Sequence, residues 1–309
     1  MIGRGWWIVV LAVGCKKDAA DRAEKVANAK SFWPEAPAVT SKPASRELRY
    51  NPDSITAYTM TAEGGTAPGA DAHIDFTMTL ALAFQPGATP RSRDARIARL
   101  DLTADAAGQK MVMKLDHDEL TVAQGSEPPM HLRRGDAGTA IDVAAMTDKP
   151  FTTLVFGEDN TVQVHTIADH PFTQLGGGGD MLDDALVLFP DLPKQAVAPG
   201  YKWSITRNTK IGGTGARADI KYEFEYLGDG ACPSGAKSCA QLSLAAASKD
   251  VEVINNGMTA KATYGMAGKV FLDTDRGALD ESRVHMDIDI AAGGMKLPVG
   301  ATYTVKPTK

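Results

Sequence analysis

The chain has little of what most enzymes and nucleic-acid binders display. Of its 309 residues only three are cysteine and 6% are aromatic. Lys and Arg number 33 against 38 Asp and Glu, so there is no basic excess. A nucleic-acid partner, which calls for a basic patch, is therefore not expected. No Gly-x-Ser-x-Gly elbow occurs, and the one Ser-x-x-Lys match, Ser234 to Lys237, sits in a turn-rich loop rather than opening a helix. Gly176 to Gly179 is not followed by Gly-Lys-Ser/Thr, and no parallel strand-to-helix unit surrounds it, which argues against a phosphate cradle. The six histidines, His73, His117, His131, His165, His170 and His285, share no metal-ligand spacing. Asp116-His117-Asp118 places neighbours in a tight turn, and His165 and His170 flank Asp169 in a loop; both read as solvated or hydrogen-bonded side chains. The carboxylate pairs Asp287 with Asp289 and Asp273 with Asp275 come near glycosidase spacing, about 7 Å on a strand face, yet outward solubilising charge explains them more simply. A non-enzymatic protein with no cofactor and no metal is the expectation.

What is present begins at Met1. Arg4 gives a short positive start, Trp6 to Val13 is an uncharged apolar run, and Ala12-Val13-Gly14 stands directly before Cys15. Eight apolar residues are too few to span a bilayer, which takes about 20 as a helix. The stretch resembles the signal peptide and lipobox of bacterial lipoproteins, with Ala12 where Leu is commonest. That resemblance implies removal of residues 1–14, acylation of Cys15, and attachment to a membrane of the bacterial cell envelope through the acyl chains. An uncleaved short anchor and an ordinary signal peptide remain open. Lys16 after the cysteine resembles the outer-membrane sorting pattern of enteric bacteria, which implies an outer-membrane lipoprotein facing the periplasm or the surface. Without Arg4 the net charge moves from −5 to about −6, too acidic to dock on anionic lipid by charge alone; two or more acyl chains would anchor stably.

With Cys15 assigned to lipid, Cys232 and Cys239 remain as a pair. They bracket a Gly- and Pro-containing loop between two strand-like runs, lack C-x-x-C spacing and have no nearby histidine. A structural disulfide fits better than a redox or metal pair.

Residues 15–45 read as an acylated Cys and a flexible tether, with Pro34, Pro37 and Pro43 keeping the later part extended. From Arg46 the period is two. Ile74, Phe76, Met78, Leu80, Leu82 and Phe84 alternate with His73, Asp75, Thr77 and Thr79; Ile220, Tyr222, Phe224 and Tyr226 alternate with charged residues; Val284 to Ile290 repeats the pattern. Turn signals stand at Gly64-Gly65, Gly212-Gly213, Asn256-Gly257 and Arg276-Gly277. One short helix is expected from Asp180, with Met181, Leu182, Ala185, Leu186 and Phe189 on its apolar side before Pro190. At 43% hydrophobic the chain can bury a real core. The expected architecture is all-β and mainly antiparallel: a body over 46–306, in which hairpins of about 46–175 are weakly echoed by those of about 198–306, an echo that either a duplication or the common physics of antiparallel hairpins explains.

The run Phe189-Pro-Asp-Leu-Pro to Pro199-Gly-Tyr-Lys-Trp203, followed by the hairpin Gly268 to Leu279, resembles uncharacterised bacterial envelope lipoproteins similar in shape to the outer-membrane lipoprotein carrier and its receptor. It covers about residues 170–306. The resemblance implies a curled half-barrel or barrel-like sheet with one short helix covering a concave apolar face. One short helix cannot cover so many alternating strands, so the sheet closes, packs on another layer, or leaves a cavity. Ile74, Phe76, Met78, Leu80, Met111, Met113, Met181, Leu182, Trp203, Tyr222, Phe224 and Met286 are the residues expected to line it. Methionine suits an irregular hydrophobic guest, and equally fills a packed core. The expected partners are the membrane, a hydrophobic ligand and an envelope protein.

Overall fold

The computed structural model describes residues 39–41, 45–67, 70, 73–106, 108–136, 141–167, 169–174, 189–210, 217–236, 238–255, 258–292 and 295–308. The leader, Cys15, most of the tether, the Gly212-Gly213 and Asn256-Gly257 turns, and the helix expected from Asp180, with Met181 and Leu182, lie outside the described residues. In chain order the strands are β1 (Val39–Ser41), β2 (Ala57–Thr66), β3 (Ile74–Pro86), β4 (Ser92–Ala106), β5 (Gln109–Leu115), β6 (Glu119–Gln124), β7 (Met130–Arg133), β8 (Thr152–Phe156), β9 (Val162–Thr166), β10 (Lys202–Lys210), β11 (Arg217–Gly230), β12 (Cys239–Asn255), β13 (Met258–Asp273), β14 (Ala278–Ala292) and β15 (Met295–Pro307). Helix α1 (Val143–Asp148) precedes β8, and α2 (Pro171–Gln174) follows β9. Asp142 caps α1 by accepting the Ala145 N–H at 3.2 Å.

All fifteen strands join one antiparallel, open sheet, the fold class that the alternation predicts. Its path runs β1-β11-β12-β13-β14-β15-β2-β3-β4-β5-β6-β7. Two long strands branch. β11 pairs with β10 along residues 217–225 and with β1 near Gly230, while β4 pairs with β8 along residues 92–95 and with β5 along residues 100–106. Strands β15 and β2 pair from Val299↔Thr66 to Pro307↔Tyr58, joining the early and late strands of the chain into one continuous sheet.

The Gly64-Gly65 turn is corrected: both residues lie inside β2. A Cβ at Gly64 would stand 2.4 Å from the Gly300 carbonyl oxygen, and one at Gly65 would stand 2.3 Å from that of Ile74. Glycine here permits close approach between strands rather than reversal of the chain. Arg276-Gly277 does turn, between β13 and β14, and Gly277 has φ 63°.

The faces follow the alternation. In β3, Met78, Leu80, Leu82 and Phe84 are buried and Asp75 and Thr77 exposed; in β11, Ile220, Tyr222, Phe224 and Tyr226 point inward. At one end of the inner face the rings of Tyr50, Tyr58, Phe84 and Phe156 surround Phe189, all with centroids 5.5–6.1 Å from it and near-perpendicular planes. Two phenols are fixed on backbone: Tyr50 donates to the Pro190 carbonyl at 2.9 Å and Tyr58 to that of Leu279 at 3.0 Å. Burial, with the charge of Asp191 adding to it, holds the Tyr50 pKa well above the usual tyrosine value, so it donates rather than ionises.

Candidate functional site

Cross-strand register assembles the inner face into rows that cross the sheet one residue per strand. One row reads Ile205, Tyr222, Ala246, Met266, Met286, Ala301, Gly64, Phe76, Ala104 and Met111. The next reads Trp203, Phe224, Leu244, Gly268, Val284, Tyr303, Ala62, Met78, Leu102, Met113, Val122 and Met130. A third, toward the aromatic end, runs from Tyr226 and Leu242 through Met60 and Leu80 to Leu120 and Leu132. Ile74 lies one row the other way, opposite Ala106.

Ten of the twelve residues expected to line an apolar cavity, all those described, thus share one face and four adjacent rows. Tyr222, Phe224, Met78, Leu80 and Met286 are buried; Ile74, Phe76, Met111, Met113 and Trp203 are half-buried. Burial falls toward the β7 edge, where Met130 is 36% exposed. Methionine, alanine and glycine recur in these rows, and the two rings at the β10 end stack, Trp203 on Phe224 at 5.4 Å and 15°.

Sequence reasoning missed the rim of this face. Segment 189–193 ties the β8–β9 hairpin to β10. The Asp191 carboxylate accepts the Val162 N–H at 2.6 Å and pairs with Arg207, and its carbonyl accepts from Trp203 Nε1 at 3.0 Å. Leu192 N–H donates to the Asn160 carbonyl and Asn160 Nδ2 to the Pro193 carbonyl, both at 3.1 Å. Side-chain and loop bonds thus bridge two strands that do not pair. The signal was present in β10, where Trp203, Ile205 and Arg207 follow one another at period two. Beside Arg207, the Thr209 and Tyr222 hydroxyls lie 3.1 Å apart and buried.

Cys232 and Cys239 form the expected disulfide. It closes the β11–β12 loop over Phe271 on the outer face, and Ser234 donates from its N–H and hydroxyl to the buried Asp280. The sulfurs and the Asp280 carboxylate lie close enough for a metal, but both sulfurs are committed to each other.

The histidines do not converge. His73 lies on Asp75, His117 on Asp118, His131 on Glu119 and His285 near Asp287, each in its own exposed or half-buried neighbourhood. His170 is 3% exposed beside Phe151; its Nδ1 accepts the Phe172 N–H at 3.2 Å, and Nε2 has no partner within regular hydrogen-bond geometry. Burial lowers its pKa from the usual histidine value, against the Lys149 and Ala145 carbonyls, which favour the protonated form. The Asp273 carboxylate caps the β13–β14 turn, accepting the N–H groups of Asp275 and Arg276 at 3.0 Å.

Fold and rows together define an antiparallel β-sheet protein with an extended apolar inner face. No protein-family model matches the chain, and no curated protein matches it in sequence. A solved structure described as "lipid-protein interactions in lipovitellin" aligns with 82% of this chain and 24% of its own, at 6% identity and a TM-score of 0.46. The chain therefore spans about a quarter of that protein's length.

Proposed function

We propose that this chain is a lipid-anchored protein of the bacterial envelope that carries or receives an apolar molecule on the inner face of its sheet and catalyses no reaction. The observation that carries this reading is the continuity of the rows: apolar side chains follow one another from Trp203 on β10 to Met130 on β7. Flexible, polarizable methionine side chains within them suit a guest of irregular shape. The anchor is Cys15, and the outer membrane is the favoured location, on the lipobox and Lys16 alone.

One observation favours a second reading, a scaffold that binds protein through a sheet edge: among the described residues β7 pairs on one side only, and it presents Met130 to solvent. Native mass spectrometry of the full chain carrying Cys15→Ser, followed by organic extraction, separates the two. A discrete extra mass that extracts as a lipid is the expected result. A bare mass, together with a stoichiometric protein partner recovered by crosslinking, would replace the first reading by the second. For the anchor, the wild-type chain should sediment with membranes and the Cys15→Ser chain should not.

A further inference from the structure

Resting on the apolar-ligand reading above, we infer that the molecule bound is a long-chain carboxylate whose head group is held by Arg207. The four rows described above are apolar or uncharged with one exception, while other rows of the same face hold Asp229, opposite Ala240, and Arg93, opposite Pro86. Among the described strand residues of the four rows, Arg207 alone carries a charge. It stands on the inward side of β10, two residues beyond Ile205 and opposite Ile220. Its neighbours along the face cannot solvate a guanidinium, so its compensation comes from the rim, through Asp191.

Its surroundings describe the ligand. Asp191 engages Arg207 through Nη2 alone, and the side chain remains 22% exposed. A guanidinium has five N–H donors in a planar fork, so an edge is left that fits a second carboxylate. Arg207 and Asp191 together are already neutral, and the neighbouring Tyr50 phenol is held in its protonated form. One further monoanion is therefore the most this corner accommodates; a phosphate monoester would set two more negative charges beside Asp191 with no second cation in these rows. The hydroxyl pair Thr209 and Tyr222 borders the same corner. From there the rows lead away across β11 to β15, five strand spacings of about 4.8 Å, roughly 24 Å, on the scale of a long acyl chain. Trp203 and Phe224 line its first part. Ile220, Tyr222, Phe224 and Met266 along these rows are buried, so a tail enters only by displacing these side chains.

The test compares one tail under two heads. The full chain carrying Cys15→Ser, stripped of endogenous lipid, is titrated with oleate and with oleyl alcohol by calorimetry, at neutral pH and without detergent. Oleate should bind roughly tenfold or more tightly, the scale of a hydrogen bond to a charged group. Arg207→Gln should erase that preference while leaving the alcohol unchanged, and Arg207→Lys should keep part of it. Because Arg207 also holds segment 189–193, Asp191→Asn provides a variant that keeps an acceptor for the Val162 N–H while removing the competing charge. It should tighten oleate binding and leave the alcohol unaffected. Equal binding of the two ligands, or a preference that survives Arg207→Gln or is unmoved by Asp191→Asn, overturns the carboxylate assignment and leaves the apolar face standing. Tighter binding of a lysophosphatidate than of oleate, lost in Arg207→Gln, also overturns it. If neither ligand binds, the apolar-ligand reading itself fails.

Discussion

The two ends of the inner face are built from different materials. Around Phe189 the rings of Tyr50, Tyr58, Phe84 and Phe156 meet edge to face, and the phenols of Tyr50 and Tyr58 are tied to carbonyls. Planar rings at fixed angles, with hydrogen bonds at their tips, allow one arrangement. Three rows away, Met266 faces Met286, and alanines and glycines separate the larger side chains. Unbranched side chains with several rotatable bonds can repack. One sheet thus carries a set end, fixed by its rings, and an adaptable end, which can change its surface. Stability should reside in the first and ligand preference in the second.

Truncating the aromatic hub breaks that division most sharply. Phe189→Ala should cost about 3 to 5 kcal/mol of unfolding free energy, read from urea denaturation, since a fully buried ring leaves a cavity its neighbours cannot fill. In whatever remains folded, binding of oleyl alcohol, which lacks the head group that Arg207 would hold, should change little; if its affinity falls as far as stability, the two ends are one unit. Replacing Cys232 and Cys239 together by alanine opens a short loop on the outer face and should cost about 2 to 3 kcal/mol in the chain-entropy model, without altering ligand affinity.

A pH series probes the flank of the set end. His170 has its pKa depressed by burial, so the unfolded chain takes up a proton that the folded chain refuses. Stability should be full above the ordinary histidine pKa, about 6.5, and decline as pH falls below it. The urea midpoint should drop between pH 7.5 and pH 5 in the wild type, and His170→Asn, which keeps an acceptor for the Phe172 N–H, should shrink that drop. An unchanged drop would remove His170 from the account. The smallest effect is expected in the adaptable end: Met286→Leu conserves volume and should cost less than about 1.5 kcal/mol, yet shift the affinity for an apolar ligand more than Phe189→Ala does.

The sequence made one half of this comparison legible. Long alternating strands such as β3, β11 and β14 declare both their existence and their buried face, because burial on one side demands period two over many residues. Short strands do not. Glu119–Gln124 and Met130–Arg133 escape because a few residues with charges among them carry no period. Gly64-Gly65 misleads for a physical reason: glycine serves turns and close strand contacts alike, and only the neighbour at Gly300 decides. Helix α1 rests on a single cap at Asp142 and a buried, nearly uniform run. The tie through Asp191 is invisible because its partners Val162 and Arg207 are non-local and its acceptor sits in a Pro-flanked loop. The site residues were legible as a face; that they fall in register, row by row, required the pairing.

The pairing of β15 with β2 has a consequence for how the protein is made. Every other junction along the path from β11 to β7 joins strands adjacent in sequence, except that β15 must find a partner more than two hundred residues upstream. As a chain leaves a ribosome or a secretion channel at about 5 to 20 residues per second, one edge of β2 has to wait, its backbone donors and acceptors unmatched, until Pro307 has emerged. The early strands therefore pass through an interval as an exposed template for pairing with other chains, and pairing with β15 seals them.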